Sequence, residues 1–292
     1  MSNPSTARQV SNLSGVVRTL IKRRVNNRRS DRGVVDRSLV SLGKLAAVIA
    51  GVIIAWWAII HLFDIDPFFM PGPAATFEAV VDRRDDLASA SWVTMRAAVF
   101  GLALSTVFAA VLAAIVVTSR TLERTVLPFA IVLRTIPVIA LAPLITLIVG
   151  RGFRTSVVAV TIVTFFPIFA YFAEGLRAVS DDMSELMRLY SASFPQELWY
   201  VRIRVALPFL FAGVQDGARA AVLAAMLAEL LTGNQGLGVE LVRGASGIRS
   251  DLVWAVVVVA TVWSIGLFFA ARVLEREVLK RLAGQERVSL QP

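Results

Sequence analysis

The side chains able to do chemistry are few, and their surroundings say more than their number. The 292 residues include one histidine, His61, and no cysteine. That removes disulfides, thiolate zinc sites, cysteine nucleophiles and cysteine-ligated iron–sulfur clusters. A single histidine also argues against a His-based metal set or a Ser-His-Asp triad. No G-x-x-x-x-G-K-[ST], H-E-x-x-H or G-x-S-x-G run occurs, so the chain lacks the phosphate loop, the zinc-protease helix and the nucleophile elbow. No catalytic residue, metal ligand or cofactor is expected. What remains is a set of charges in apolar surroundings: Arg134, Asp216, Arg219 and Glu229. A charge at mid-bilayer costs several kcal/mol unless paired or hydrated, so such residues face a bundle interior or a wet cavity. Asp216 and Arg219 are three apart on one helix face; they either neutralise each other or face a path. Arg134 lies beside Pro137, where a helix break would expose backbone to a cavity. It either attracts an anion or makes a helix-end salt bridge. His61, with Trp56 and Trp57, reads as an interfacial anchor.

The elements that hold these charges must be membrane-spanning. Hydrophobic residues make up 57% of the chain and charged residues 17%, against about 25% charged in an average soluble domain. Mean hydropathy is +0.70. A soluble enzyme, a disordered chain and a disulfide scaffold are all poor fits. A spanning helix needs about 20 apolar residues. Leu45 to Phe63, Ala97 to Ser119, Thr155 to Ala173 and Leu252 to Ala271 are uncharged with His61 neutral. Thr125 to Gly150 is interrupted by Arg134, and Val205 to Leu231 carries Asp216, Arg219 and Glu229. That predicts an all-α membrane protein with six transmembrane helices.

Charge sets the orientation. Residues 1–41 read as a basic cytosolic tail: the first 40 hold nine Lys/Arg and two acidic residues. The cluster Lys22, Arg23, Arg24, Arg28 and Arg29 is a topogenic signal on anionic lipid, with no nucleic-acid partner expected; a signal peptide fits poorly. With the N-terminus inside, the inner segments carry 21 Lys/Arg and the outer loops 6. Both ends are therefore expected in the cytoplasm, with one permeating domain over 42–280 and a C-terminal tail over 281–292. No internal repeat is evident.

The inner loop from Glu174 to Arg204 carries the most pattern. Met183, Leu186, Met187, Tyr190 and Phe194 fall at helical spacing on one face. Asp182 with Glu185 reads as a capping box; Ser193 with Gln196 reads as the cap of a second short helix after the interruption at Pro195. A cytosolic two-helix element results. Its apolar face either packs on its own bundle and the headgroups or docks on another protein.

This loop resembles the EAA loop of ABC importer permeases. The residues that carry the resemblance are Glu185-Leu-Met-Arg-Leu-Tyr-Ser191-Ala192-Ser193 and, further on, Ala206-Leu207-Pro208-Phe-Leu-Phe-Ala-Gly213. Met70-Pro71-Gly72-Pro73, the run Leu133 to Leu144, Phe165-Phe166-Pro167-Ile168, and Ala228-Glu229 followed by Gly236-Leu237-Gly238 resemble the nitrate/sulfonate/taurine branch in the same order. The match spans roughly residues 42 to 280. The chain departs from the pattern where Ser191 replaces a Gly, where Ile203 and Arg204 replace a first Leu-Pro, and where Leu186 and Met187 replace two alanines.

The resemblance implies a permease subunit in the bacterial inner membrane. It implies a homodimer, a cytosolic ATPase dimer that binds ATP and docks on the loop, and an external solute-binding protein. The coupling set is Asp182, Met183, Glu185, Leu186, Met187, Tyr190, Ser191, Ala192, Ser193, Leu207 and Pro208. Glu185 is a capping carboxylate, an ATPase contact, or both. The candidate path is Arg134, Pro137, Asp216, Arg219 and Glu229; for Glu229 the resemblance suggests gating or packing near the outer mouth. The implied solute is a small anion such as a sulfonate, taurine or nitrate. An ion-gradient-driven transporter is the alternative, favouring inverted repeats that are not found. A membrane-embedded enzyme lacks a convergent catalytic set.

Overall fold

The computed structural model describes residues 47–119, 121, 122, 124, 125, 128, 137–233 and 235–289. It divides into two compact units, one up to Ile65 and one from Asp66. In the first, α1 covers Ala47–Leu62. His61 Nδ1 lies 2.9 Å from the Trp57 carbonyl oxygen, and its ring stacks on Trp57 at 4.0 Å. The lone histidine is thus occupied within its own helix end.

The second unit is a helical bundle. In chain order it comprises α2 (Pro73–Asp82), α3 (Arg84–Val116), α4 (Val138–Val149), α5 (Phe153–Arg177), α6 (Asp181–Leu189), α7 (Phe194–Thr232), α8 (Leu237–Ser246) and α9 (Ser250–Ser289). Among the described residues every regular element is helical. Four helices are long and apolar enough to cross a membrane: α3, α5, α7 and the Ser250–Leu282 part of α9. They match four of the six expected spans. The span expected over Leu45 to Phe63 is described as α1, and the continuous described helix within Thr125 to Gly150 is α4.

One boundary differs from expectation. The last helix does not stop near Ala271 but runs on to Ser289, through most of the expected tail. Its extension pairs Glu277 with Lys280 at 4.0 Å, an i,i+3 spacing that supports an exposed helix. Pro167 sits inside α5 without ending it.

Helix α5 packs chiefly on α7 and α3. In lipid no hydrophobic effect drives helices together, so small residues that allow close approach do most of the work. The buried face of α3 is Ala97, Ala98, Ser105, Ala109 and Ala113. That of α7 is Ala206, Gly213, Gly217, Ala218, Ala221, Ala225 and Ala228. Into these faces α5 presses Ile168, Phe169 and Leu176, all fully buried. A Cβ on Gly213 would lie 2.8 Å from the Ile168 Cα, and one on Gly175 would lie 2.7 Å from the Phe209 Cβ. The Ile168 obstacle is backbone, so it cannot rotate away.

Gly213→Ala is therefore expected to destabilise by about 1–3 kcal/mol through forced separation of α5 and α7. Gly266→Ala, on a face with open space, should be neutral or slightly stabilising through helix propensity. Thermal aggregation midpoints in detergent compare the two; equal midpoints would refute the close-packing account.

Candidate functional site

The expected coupling loop forms α6 and the start of α7. The N-cap of α6 is Ser180, not Asp182. The Ser180 carbonyl accepts from the N–H groups of Met183 and Ser184, at 3.1 and 3.2 Å, and its Oγ accepts from Met183 N–H at 3.4 Å. Asp181 and Asp182 then occupy the first turn, where a negative charge complements the helix dipole. Glu185 stands exposed one turn later.

The end of α6 is a Schellman closure. Ala192 N–H donates to the Met187 carbonyl at 3.0 Å, and Ser191 adopts φ +54°. A left-handed residue at this point is usually glycine. Ser191 is where the chain departs from the family pattern, and the departure keeps the turn at a steric cost. The next helix follows at once. Gln196 Oε1 accepts from the Ser193 N–H at 2.8 Å and from its hydroxyl at 3.0 Å. Pro195 lies in the first turn of α7, where its missing N–H is no loss. The second short helix expected here is therefore not separate. It is the first turn of a helix that continues to Thr232.

One side of this loop is tied down. Leu198–Arg202 forms a π-helical turn, with i→i+5 hydrogen bonding. That turn brings Glu197 and Arg202 together: Glu197 Oε1 accepts from Arg202 Nη2 at 2.7 Å and Nε at 2.9 Å. The same oxygen accepts from the Ser184 hydroxyl of α6 at 3.0 Å. Arg202 Nη1 donates to the Leu176 carbonyl at the end of α5, 3.2 Å away. One buried carboxylate thus joins α5, α6 and α7. The other side of α6 is uncovered. Met183 and Leu186 are exposed, Leu189 is 76% exposed and Tyr190 80%; Met187 is half-buried. Trp199 and Tyr200 of the π turn are also exposed. Leu207 and Pro208 lie within α7, Pro208 without breaking it.

Among the described path residues, the Asp216–Arg219 pair and Glu229 have separate partners. Arg134 lies outside the described residues. Pro137 precedes the first residue of α4. Asp216 and Arg219 pair at 3.3 Å, as their spacing suggests. The Arg219 guanidinium also covers the Phe268 ring of α9 at 4.5 Å. Glu229 is 2% exposed. Its Oε2 accepts from the Thr94 hydroxyl of α3 at 2.8 Å and from the Gly238 N–H at 3.1 Å.

Sequence reasoning missed Thr94, Glu197 and Arg202. Glu197 and Arg202 are five apart, which is not a helix-face spacing unless a π turn intervenes. Thr94 carries no local signal.

Residues 105–280 match the family model described as "Binding-protein-dependent transport system inner membrane component". The chain belongs to this family. A "Probable ABC transporter permease protein" of Haemophilus influenzae is 26% identical over 76% of this chain and 91% of its own. The taurine transport system permease protein of Escherichia coli is 25% identical over 89% and 96%. Among solved structures, a permease chain of the MetNI methionine ABC transporter, in an inward-facing conformation, superposes with a TM-score of 0.54. It is 22% identical and covers 68% of this chain and 96% of its own, a likeness of fold. The protein is a multi-pass inner-membrane permease subunit of the ABC importer class.

Two variants test the loop geometry of the permease. Ser191→Gly should relieve the left-handed strain and stabilise the turn by about 1 kcal/mol. Glu197→Ala should strand Arg202 and loosen the loop by about 2 kcal/mol, below the range for a fully buried pair because both side chains keep some water contact. Limited proteolysis across residues 178–193 should be slower in the first and faster in the second. Parent-like rates in both would refute this account of the loop.

Proposed function

We propose that this permease imports a small anion of the sulfonate, taurine or nitrate type by alternating access, driven by ATP hydrolysed in a separate cytosolic ATPase dimer docked on α6. The carrying observation is the asymmetry of α6. Its polar side is tied through Ser184, Glu197 and Arg202 to α5 and α7. Its apolar side offers Met183, Leu186, Leu189 and Tyr190 to solvent. A short helix that is anchored on one face and open on the other moves as a body with whatever grips the open face. Apolar and aromatic side chains are the usual anchors of such a groove. Asp182, Glu185 and Ser191 to Ser193 shape its two ends.

The rest of the assembly follows from this role. Two copies of the permease enclose the path, and a binding protein outside delivers the solute. The loop, the N-terminus and the C-terminus face the cytoplasm, in accord with the 21 to 6 bias in Lys/Arg. The permease needs no cofactor and no catalytic residue of its own, because ATP sits in the partner. The solute class rests on the taurine permease that covers most of the chain. Arg134 would draw an anion into the path. The Asp216–Arg219 pair would remain a structural neutralisation.

Glu185→Lys combined with Met187→Lys should abolish copurification of the ATPase and leave membrane insertion unchanged. Normal copurification would overturn docking on α6. Arg134→Ala should lower uptake without loss of assembly; unchanged uptake would remove it from the path.

A further inference from the structure

The buried end of α7 makes contacts that neither transport nor docking yet uses. Helix α8 starts at Leu237 after Gly236, which has φ +116° and no side chain to cap the helix. The first N–H groups of a helix need acceptors from elsewhere. They receive them from two other helices. Leu237 N–H donates to Thr94 Oγ1 of α3 at 2.9 Å, and Gly238 N–H donates to Glu229 Oε2 of α7 at 3.1 Å. Thr94 and Glu229 are themselves bonded at 2.8 Å. All three contacts are buried. A carboxylate at a helix N-terminus also meets the positive end of the dipole. The packing admits nothing else: a Cβ at Gly236 would overlap the Glu229 carboxyl group, and one at Gly238 would overlap the Met226 carbonyl.

The latch borders a polar recess. Gly236 lines a cavity of about 520 Å³ together with Asp86, Arg96, Gln235, Glu240 and Arg243. Its walls come from α3 on one side and α8 on the other, so the seat of α8 sets its width. At the opposite end of α7 stands the Glu197–Arg202 tie, 32 residues earlier in the sequence, about 48 Å away along a helix.

We propose that Thr94 and Glu229 are positioning residues. They form a tertiary cap that latches α8 to α3 and α7, hold the polar recess at its width, and make α8 move with α7 during transport. The last clause rests on the coupling proposed above; the latch itself does not. In this role Glu229 acts by holding α8 in place and not by touching solute.

The test uses the full permease in nanodiscs, read by hydrogen exchange of the 237–246 segment. Thr94→Val and Glu229→Ala are expected to speed exchange there about fivefold, the loss of one helix cap. Glu229→Gln keeps an acceptor oxygen and should stay near the parent. Parent-like exchange in both Thr94→Val and Glu229→Ala overturns the latch; should Glu229→Ala fail to fold, Thr94→Val decides alone. The transport arm adds the ATPase and binding protein. Thr94→Val should still copurify with the ATPase, while solute moved per ATP hydrolysed falls about fivefold or more. Faster exchange with an unchanged solute-to-ATP ratio overturns the transport role. A parent that binds no ATPase overturns the docking proposal instead, and the exchange arm still reads the latch.

Discussion

Everything in this bundle depends on how closely three helices can approach. Inside a bilayer the surroundings of a helix are as apolar as its neighbours, so association gains little from leaving lipid. It rests on dispersion, which loses a quarter to a half of its strength across a gap of about 0.5–1 Å. The chain meets this constraint with small residues on α3 and α7 and large ones on α5. Gly213 lies against the Ile168 backbone, and Gly101 against Val160. Phe169 and Leu176 then fill the space between the faces. Because α5 touches both partners, α3, α5 and α7 form one packed unit.

Polar contacts gain their meaning from that unit. In a low-dielectric interior each unpaired group is costly, so the few present are shared between elements. Glu197 Oε1 serves Ser184 and Arg202 at once, and Arg202 closes the end of α5. Thr94 and Glu229 serve the start of α8. Both sets include a carboxylate on α7, one near each end. The helix that carries the Asp216–Arg219 pair is thus the element that both sets of contacts share. One set lies beside the exposed side of α6 and the other beside the polar recess at α8.

Much of this was legible from one sequence, for definite reasons. Three of the four long spans follow from uncharged apolar runs, α7 follows from an apolar run that carries three charges, and the Asp216–Arg219 contact follows from an i,i+3 spacing. The helical face of Met183, Leu186 and Met187 follows from periodicity. The family follows from short motifs in the right order. The errors are equally physical. Ser180 outcompetes Asp182 as the cap, and both are good cap residues. Pro195 looks like a break in the sequence, yet proline is tolerated in a first turn, and the helix runs on from there.

The sequence by itself determined that the chain belongs in a membrane, where its four long apolar helices lie, and which loop is amphipathic. These are properties of composition and of neighbours within about a dozen residues, and the cost of apolar groups in water decides them. Only the tertiary structure decided which polar groups meet. Thr94 and Glu229 are 135 positions apart, and Arg202 and Leu176 are 26 apart. Local propensity is silent at such distances. The packing of α5 between α3 and α7 brings these groups together, and the π turn at Leu198–Arg202 aligns Glu197 with Arg202. Hydrogen bonds of this kind form only where the backbones have already been brought close, so the small residues that allow the approach come first and the polar ties follow from it.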